Sequence, residues 1–260
     1  MALFFQILAG GSKGNAIWIS SPTTSILLDV GLSALEIARR LQQTPGARRR
    51  LDALLISHEH SDHVRGAGAL SRRLSLPVFM THGTTENLPP GLGPLARTVV
   101  FQSGKPFVIG DLEVTAFTVP HDAAEPVGFV VEHGGCRLGV CTDLGSITDS
   151  VKASLQGCHA LVLEANHDVD LLIEGPYPWY LKQRILSPYG HLCNTDTCDL
   201  LGSLYHDDLF TVVLTHLSET NNHPTLVRQC LKESLDSPRW EAVHFALASQ
   251  HEVTPGIELG

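Results

Sequence analysis

Within six residues the chain places three histidines and two acids, His58-Glu59-His60-Ser61-Asp62-His63, directly after the apolar run Ala53-Leu54-Leu55-Ile56-Ser57. The apolar run reads as a short buried strand. The histidine run then lies on a tight loop that aims alternate side chains inward. Imidazoles and carboxylates bind borderline divalent metals well. Four donors, His58, His60, Asp62 and His63, exceed what one tetrahedral site draws from a single segment. The run suits two adjacent ions, with His58 and His60 on one and Asp62 and His63 on the other. A solvated polar loop is the alternative; the preceding strand and matching residues elsewhere speak against it.

The remaining ligands must come from other segments. The chain has fourteen histidines, where average usage gives about six. His121 follows Thr115–Pro120, Asp143 follows Arg137–Cys141, and His216 follows Thr211–Thr215. Alone, each reads as a hydrogen-bonded loop residue; beside the cluster, each reads as a ligand. Segments also echo one another. Ile26–Gly31 and Leu138–Gly145 share an apolar strand, Asp, one residue, Gly. Leu54–His58 and Val212–His216 share an apolar strand, a hydroxyl residue and His. A duplicated β-unit places each Asp and His at the C-terminal end of a strand. Two such units packed face to face give a four-layered αββα sandwich, an α/β (α+β) fold, in one domain over residues 1–260.

Further strands are expected at Leu3–Leu8, Ala16–Ser20, Ser25–Val30, Leu112–Val119, Gly128–Glu132, Ala160–Glu164 and Val243–Leu247. Helices are expected at Ser33–Gln43, opened by a Ser33/Glu36 capping box, and at Gly66–Leu74, Ile147–Leu155, Thr195–Tyr205 and Thr225–Lys232. Residues 83–96, rich in Pro and Gly, read as a loop.

Composition narrows the class. No apolar run reaches the roughly 18 residues that span a bilayer. Met1–Gln6 lacks a basic region and a cleavage site, so it reads as a first strand and the chain as cytoplasmic if bacterial. Six cysteines form no CxxC pair. Cys193 and Cys198 lack a second pair to complete a zinc knuckle, so scattered reduced thiols are expected. A net charge of −9 argues mildly against a nucleic-acid binder, which usually presents a basic surface. Cations nevertheless gather at Arg48-Arg49-Arg50, Arg65, Arg72-Arg73 and Lys182/Arg184. Gly10-Gly11-Ser12-Lys13-Gly14 has the wrong order, and the wrong place before a strand, for a P-loop.

Taken together, Asp29, His58 to His63, His121, Asp143 and His216 match five successive motifs, and the chain resembles the metallo-β-lactamase superfamily over essentially its whole length. The resemblance implies His58, His60 and His121 on one metal and Asp62, His63 and His216 on the other. It makes Asp143 the bridge and Asp29 an outer carboxylate that fixes a ligand imidazole. Leu163-Glu164-Ala165-Asn166-His167-Asp168, Gly175-Pro176-Tyr177-Pro178, Leu181-Lys182-x-Arg184-Ile185, Gly190-His191-Leu192 and His216–Asn222 are similar to the YycJ (WalJ) group, whose layout is that of tRNase Z-type metallo-phosphodiesterases. Cys193 stands where that group has Ser, and Thr220 where it tends to have Glu; these departures are expected to bear on substrate contacts. There is no β-CASP-sized insertion and no long arm for holding tRNA.

The expected function is a binuclear metal-dependent phosphodiesterase, a nuclease acting on DNA from a 5′ end by resemblance, with nucleic acid or another phosphodiester as partner. A hydroxide bridging two divalent ions (Zn or Mn, with Fe also compatible) is the expected nucleophile. The catalytic residues are expected to be Asp62, His191 and Glu164, with His191 set by Glu164 and donating to the phosphoryl or leaving oxygen. His167 and Asp168 stay open between an outer-shell role and a helix cap. Asn221-Asn222 reads as loop-shaping, in left-handed geometry. His82, His133, His159, His206, His244 and His251 read as surface or satisfied core. A lactone, thioester or β-lactam hydrolase on the same scaffold, and a non-catalytic metal-binding regulator, remain as other readings.

Overall fold

In the computed structural model, which describes residues 2–45 and 49–260, alternation along the strands builds three apolar layers. Leu3, Phe5 and Ile7 of strand β1 (Leu3–Ala9), Ile17 and Ile19 of β2 (Ala16–Ser20), and Ile26 and Leu28 of β3 (Ser25–Leu28) face a central core. Trp18 and Leu27, one residue out of step, face the opposite way onto helix α1 (Ala34–Leu41). This period of two is what a sheet covered on both faces requires.

The first sheet continues through β4 (Ala53–Leu55), β5 (Pro77–Met80) and β6 (Arg97–Val100). Helices α2 (Ser61–Val64), α3 (Ala67–Leu74) and α4 (His82–Glu86) lie between these strands in the chain. The second sheet comprises β7 (Phe107–Ile109), β8 (Leu112–Thr118), β9 (Val127–His133), β10 (Cys136–Cys141), β11 (Ala160–Glu164), β12 (Thr211–Thr215) and β13 (His244–Leu247). With it run α5 (Asp149–Leu155), α6 (Val169–Glu174), α7 (Trp179–Ile185), α8 (Asn194–Leu204) and α9 (Pro224–Ser234). Strand β14 (Ile257–Leu259) returns to pair antiparallel with β1. Each sheet has seven strands. Their inner faces share one core, and each outer face is covered by helices. This is the expected αββα sandwich.

The two halves match in pairing. β1/β2 and β2/β3 are antiparallel and the next three pairs parallel; β8/β9 and β9/β10 are antiparallel and the next three parallel. By this order β3 corresponds to β10, so the Asp29/Asp143 echo is a topological equivalence. The His58/His216 echo is not: β4 corresponds to β11, which ends in Glu164, while His216 follows β12. Parallel strands end at one edge, and loops leaving that edge converge there.

Several local expectations are corrected. Asp62 and His63 stand on a short helical turn where a tight loop was expected, because the backbone N–H groups of His63 and Val64 both bond back to the His60 carbonyl. Ser33 accepts from Glu36 N, but the Glu36 carboxylate turns to Arg39 and Arg40, so only half of the capping box forms. Residues 83–96 contain most of α4 and a 3₁₀ turn, Pro90–Leu92. Strands β5, β6, β7 and β14 carry no distinct pattern in the sequence. They are three or four residues long, β5 opens with Pro77, and β14 depends on a partner at the other end of the chain.

Candidate metal centre

Two residues in left-handed backbone aim the site. Asp29 (φ 58°) follows β3 and His216 (φ 57°) follows β12. Non-glycine residues rarely adopt this conformation, and those that do cluster at functional sites. Asp29 uses both carboxylate oxygens. Oδ1 accepts from Ser57 N at 2.9 Å, and Oδ2 pairs with His63 Nδ1 at 2.7 Å. Gly31 lets the strands close over this knot: its N–H donates to Asn15 O, and a Cβ there would overlap the Asp62 carbonyl oxygen.

Inside the knot the donors converge. His58, His60 and His121 offer atoms within 4.8 Å of one another, as do Asp62, His63 and His216. Asp143 joins the two sets. Its Oδ2 lies 3.0 Å from His63 Nε2, and its Oδ1 lies 3.4 Å from His216 Nδ1 and 3.8 Å from His121 Nε2. His58 Nε2 and His216 Nε2 are buried without a hydrogen-bond partner among the described residues. Orphaned buried donors and acceptors are costly, and a cation satisfies them.

Glu164 is a second buried carboxylate that holds histidines. Its Oε1 lies 2.7 Å from both His191 Nδ1 and His216 Nδ1, and its Oε2 accepts from Leu144 N and Leu192 N. The sequence suggests the Glu164–His191 pair but not the Glu164–His216 pair. Glu164 closes β11, the strand beside β12, and register places it opposite Thr215. His63 and His216 are therefore built alike, each with one ring nitrogen on an outer carboxylate and the other turned to the cluster.

The partners of this acidic group are unusual. Among the described residues, Asp29, Asp62, Asp143 and Glu164 form ion pairs only with histidines. Burial pushes the carboxyl of Asp143 up, but His216 and His63 outweigh it and hold it well below the carboxylate range. Burial lowers His63 and His216, yet the carboxylates around them raise both well above an ordinary histidine. His58 is driven well down by burial and by the His63 charge, which frees its lone pair for a metal.

Asp29→Asn is expected to weaken metal binding or activity by about 10–100-fold without emptying the site, as loss of an outer carboxylate does. Metal content after dialysis checks this. Loss of all metal would make Asp29 a direct ligand, which the two contacts of its carboxylate oppose.

Other residues resolve differently from expectation. Asn15, with no sequence signal, lies 3.0 Å from His63 Nε2 and donates to Asp62 Oδ2, so the Gly10–Gly14 loop borders the site although it is no P-loop. Cys193 caps α8, its Sγ accepting from Asp196 N, so its departure from Ser bears on the cap. Asn221 and Asn222 are not left-handed; Asn222 shapes the loop through bonds to Ala165 O and Asn194 Oδ1. Arg49, Arg72 and Lys182 serve backbone carbonyls, while Arg48 lies outside the described residues. Asp168 caps α6.

His167 is buried, and neither ring nitrogen has a hydrogen-bond partner among the described residues. Burial pulls its pKa down from 6.5 to about 4, against the nearby Glu164 charge. Between those values the unfolded chain binds the proton and the folded chain does not, so stability falls as pH drops through that window and levels off below it. The contribution is on the order of 3 kcal/mol. Urea unfolding across the window is expected to show a smaller acid loss in His167→Leu than in the wild type; equal losses refute it.

The chain belongs to the metallo-β-lactamase superfamily, and the profile of a β-lactamase superfamily domain matches residues 24–216. Within that class it is 36% identical to exodeoxyribonuclease YycJ of Bacillus anthracis, over 91% of this chain and 90% of that protein. It is 33% identical to exodeoxyribonuclease WalJ of Streptococcus pneumoniae, over 89% of each. Among solved structures, the metallo-β-lactamase fold protein YhfI from Bacillus subtilis superposes with a TM-score of 0.74 at 18% identity, covering 97% of this chain and 99% of that one. Human short-form tRNase Z superposes at 0.64 with 17% identity, covering 97% and 98%. These two likenesses show the fold. By family, the chain is a metal-dependent hydrolase, of a fold that implies divalent metal ions. No helix among the described residues is long and apolar enough to cross a membrane.

Proposed function

We propose that the protein is a two-metal phosphodiesterase of the cytoplasm that degrades DNA from a 5′ end. The observation behind this reading is the meeting of two donor sets on Asp143 in a chain whose full-length relatives are named exodeoxyribonucleases. His58, His60 and His121 would hold one ion, Asp62, His63 and His216 the other, and Asp143 both. The charge fits: four buried or half-buried carboxylates balance two divalent cations once the histidines are neutral, as ligands must be. Zn, Mn and Fe all suit such donors.

When bound, such a pair supplies an acidified water as nucleophile and neutralises charge on the phosphate. The chain's own groups do the rest. Asp29 fixes the His63 ring and Glu164 the His216 ring. Nδ1 of His191 is held by Glu164, so Nε2 is the nitrogen left for substrate. Burial disfavours a charged His191, but Glu164 outweighs it and raises its pKa. A proton on the ring would then pass from Nε2 to the leaving oxygen.

The test is turnover by the metal-loaded protein on end-labelled DNA, bis(p-nitrophenyl) phosphate, a lactone and a β-lactam. DNA shortening from the 5′ end is expected. Lactone or β-lactam turnover without phosphodiester turnover overturns the assignment, and metal binding with no turnover makes the protein a regulator.

A further inference from the structure

Six cysteines without a CxxC pair read as scattered thiols, but the tertiary structure brings two of them together. Cys198 Sγ on α8 lies 3.4 Å from Cys230 Sγ on α9. Among the described residues no other two thiols are in contact. The approach is built into the helices, which pack side by side. At one end the side-chain amides of Asn194 and Asn222 bond to each other reciprocally, Nδ2 of each donating to Oδ1 of the other at 3.1 and 2.9 Å. Asn194 opens α8, and Asn222 stands just before the His223 cap of α9. Cys198 follows Asn194 by four residues, which puts both on one face of α8. There Cys198 joins Val227 and Leu231 of α9 in one apolar cluster, with Cys230 packed against it.

The two thiols differ in access. Cys198 is 3% exposed, whereas Cys230 is half-buried and lines a cavity of about 320 Å³ between α9 and the start of α8, with Gln229, Glu233 and Thr195. Burial pushes the Cys198 thiol up, and the neighbouring Cys230 pushes it further. Cys198 therefore keeps its proton and donates to the Cys230 sulfur, which is the one that solvent reaches.

We propose that Cys198 and Cys230 form an oxidation site, at which a peroxide converts the two thiols into a disulfide that ties α8 to α9. The Cys230 thiolate attacks hydrogen peroxide: an S–O bond forms, the O–O bond breaks, and the departing hydroxide takes up the proton that Cys230 lost. The sulfenic acid so formed on Cys230 is neutral, and it faces the Cys198 sulfur. Cys198 displaces its hydroxyl: the S–S bond forms, the S–O bond breaks, and the Cys198 proton leaves with the hydroxyl as water. Two thiols and one peroxide thus give one disulfide and two waters. The loop that this bond closes contains β12 and His216, and α8 begins just after His191 and Leu192. The link therefore braces the wall of the metal centre from which both histidines project. None of the donors gathered at that centre is a sulfur, so the metal ligands are not consumed, and the inference holds whatever bond the centre hydrolyses.

The zinc-loaded protein serves for the test, because zinc has no redox chemistry of its own. One equivalent of hydrogen peroxide on the folded protein is expected to remove two of the six thiols. Digestion is expected to yield a cross-linked pair of peptides containing Cys198 and Cys230, and dithiothreitol to restore both thiols. The thermal midpoint of the cross-linked protein is expected to rise by about 4–16 °C, the shift for a typical disulfide in a chain of this size. Cys230→Ser is expected to leave Cys198 reduced, because the oxidant does not reach it. Cys198→Ser is expected to stop Cys230 at the sulfenic acid, which dimedone traps. Cross-linking is expected to be faster in the folded protein than in urea, where nothing holds the pair together. A cross-link that forms only in urea overturns the proposal. So does peroxide that consumes Cys136, the other half-buried thiol, while Cys198 and Cys230 stay reduced. A disulfide between two chains through Cys230, with Cys198 still reduced, also overturns it.

Discussion

Asp143→Ala is expected to abolish turnover and to lower bound metal from two ions per chain toward one or none. Asp143 is buried at the meeting of both donor sets, with its two oxygens directed to different histidines: Oδ2 to His63, Oδ1 to His216 and His121. Each remaining set keeps three donors, so the loss is one of a shared anion. Without it, two cations face each other with less negative charge between them, and their repulsion is poorly screened in a buried site. Elemental analysis of the purified variant, with circular dichroism to show that it is folded, checks the expectation. Retention of two ions per chain refutes the shared role of Asp143.

His191→Ala is expected to separate metal binding from chemistry. His191 Nδ1 is committed to Glu164 at 2.7 Å, and its ring lies 5.2 Å from the rings of His121 and His216. Metal content should therefore stay at the wild-type value. The rate should fall by about 10²–10⁴-fold, the usual range for a general acid or base. The deficit should be large for an alkoxide leaving group, which needs the proton, and small for p-nitrophenolate, which leaves without it. Equal deficits on both would reassign His191 to positioning the phosphate. No deficit on either would remove it from the site.

Most of the donor set was legible because it obeys local rules. An apolar strand followed by His or Asp marks a strand end, and five such ends, at Asp29, His58, His121, Asp143 and His216, stand out against any background of surface residues. The outer layer was harder to read. Asn15 and Ser57 are common loop residues with no chemical signature of their own, and they meet His63 only because Gly31 lets three backbone segments close together. Glu164 looked like a partner for one histidine and serves two. The second contact depends on β11 lying beside β12, which pairing order fixes and sequence spacing does not.

The sequence by itself determined the layering and the kind of chemistry. Period-two alternation dictates which faces of the sheets are buried, and the types of residue at strand ends dictate what they can ligate. Only the tertiary structure decided which groups share a partner. It separated the His58/His216 echo by assigning their strands to non-equivalent places, and it gave one carboxylate to two imidazoles. It also set the C-terminal end of α7 against His191. The reason is physical: propensity and pattern act over a few residues, whereas these contacts join atoms dozens of residues apart, through pairing order and close approaches that no short window of sequence encodes.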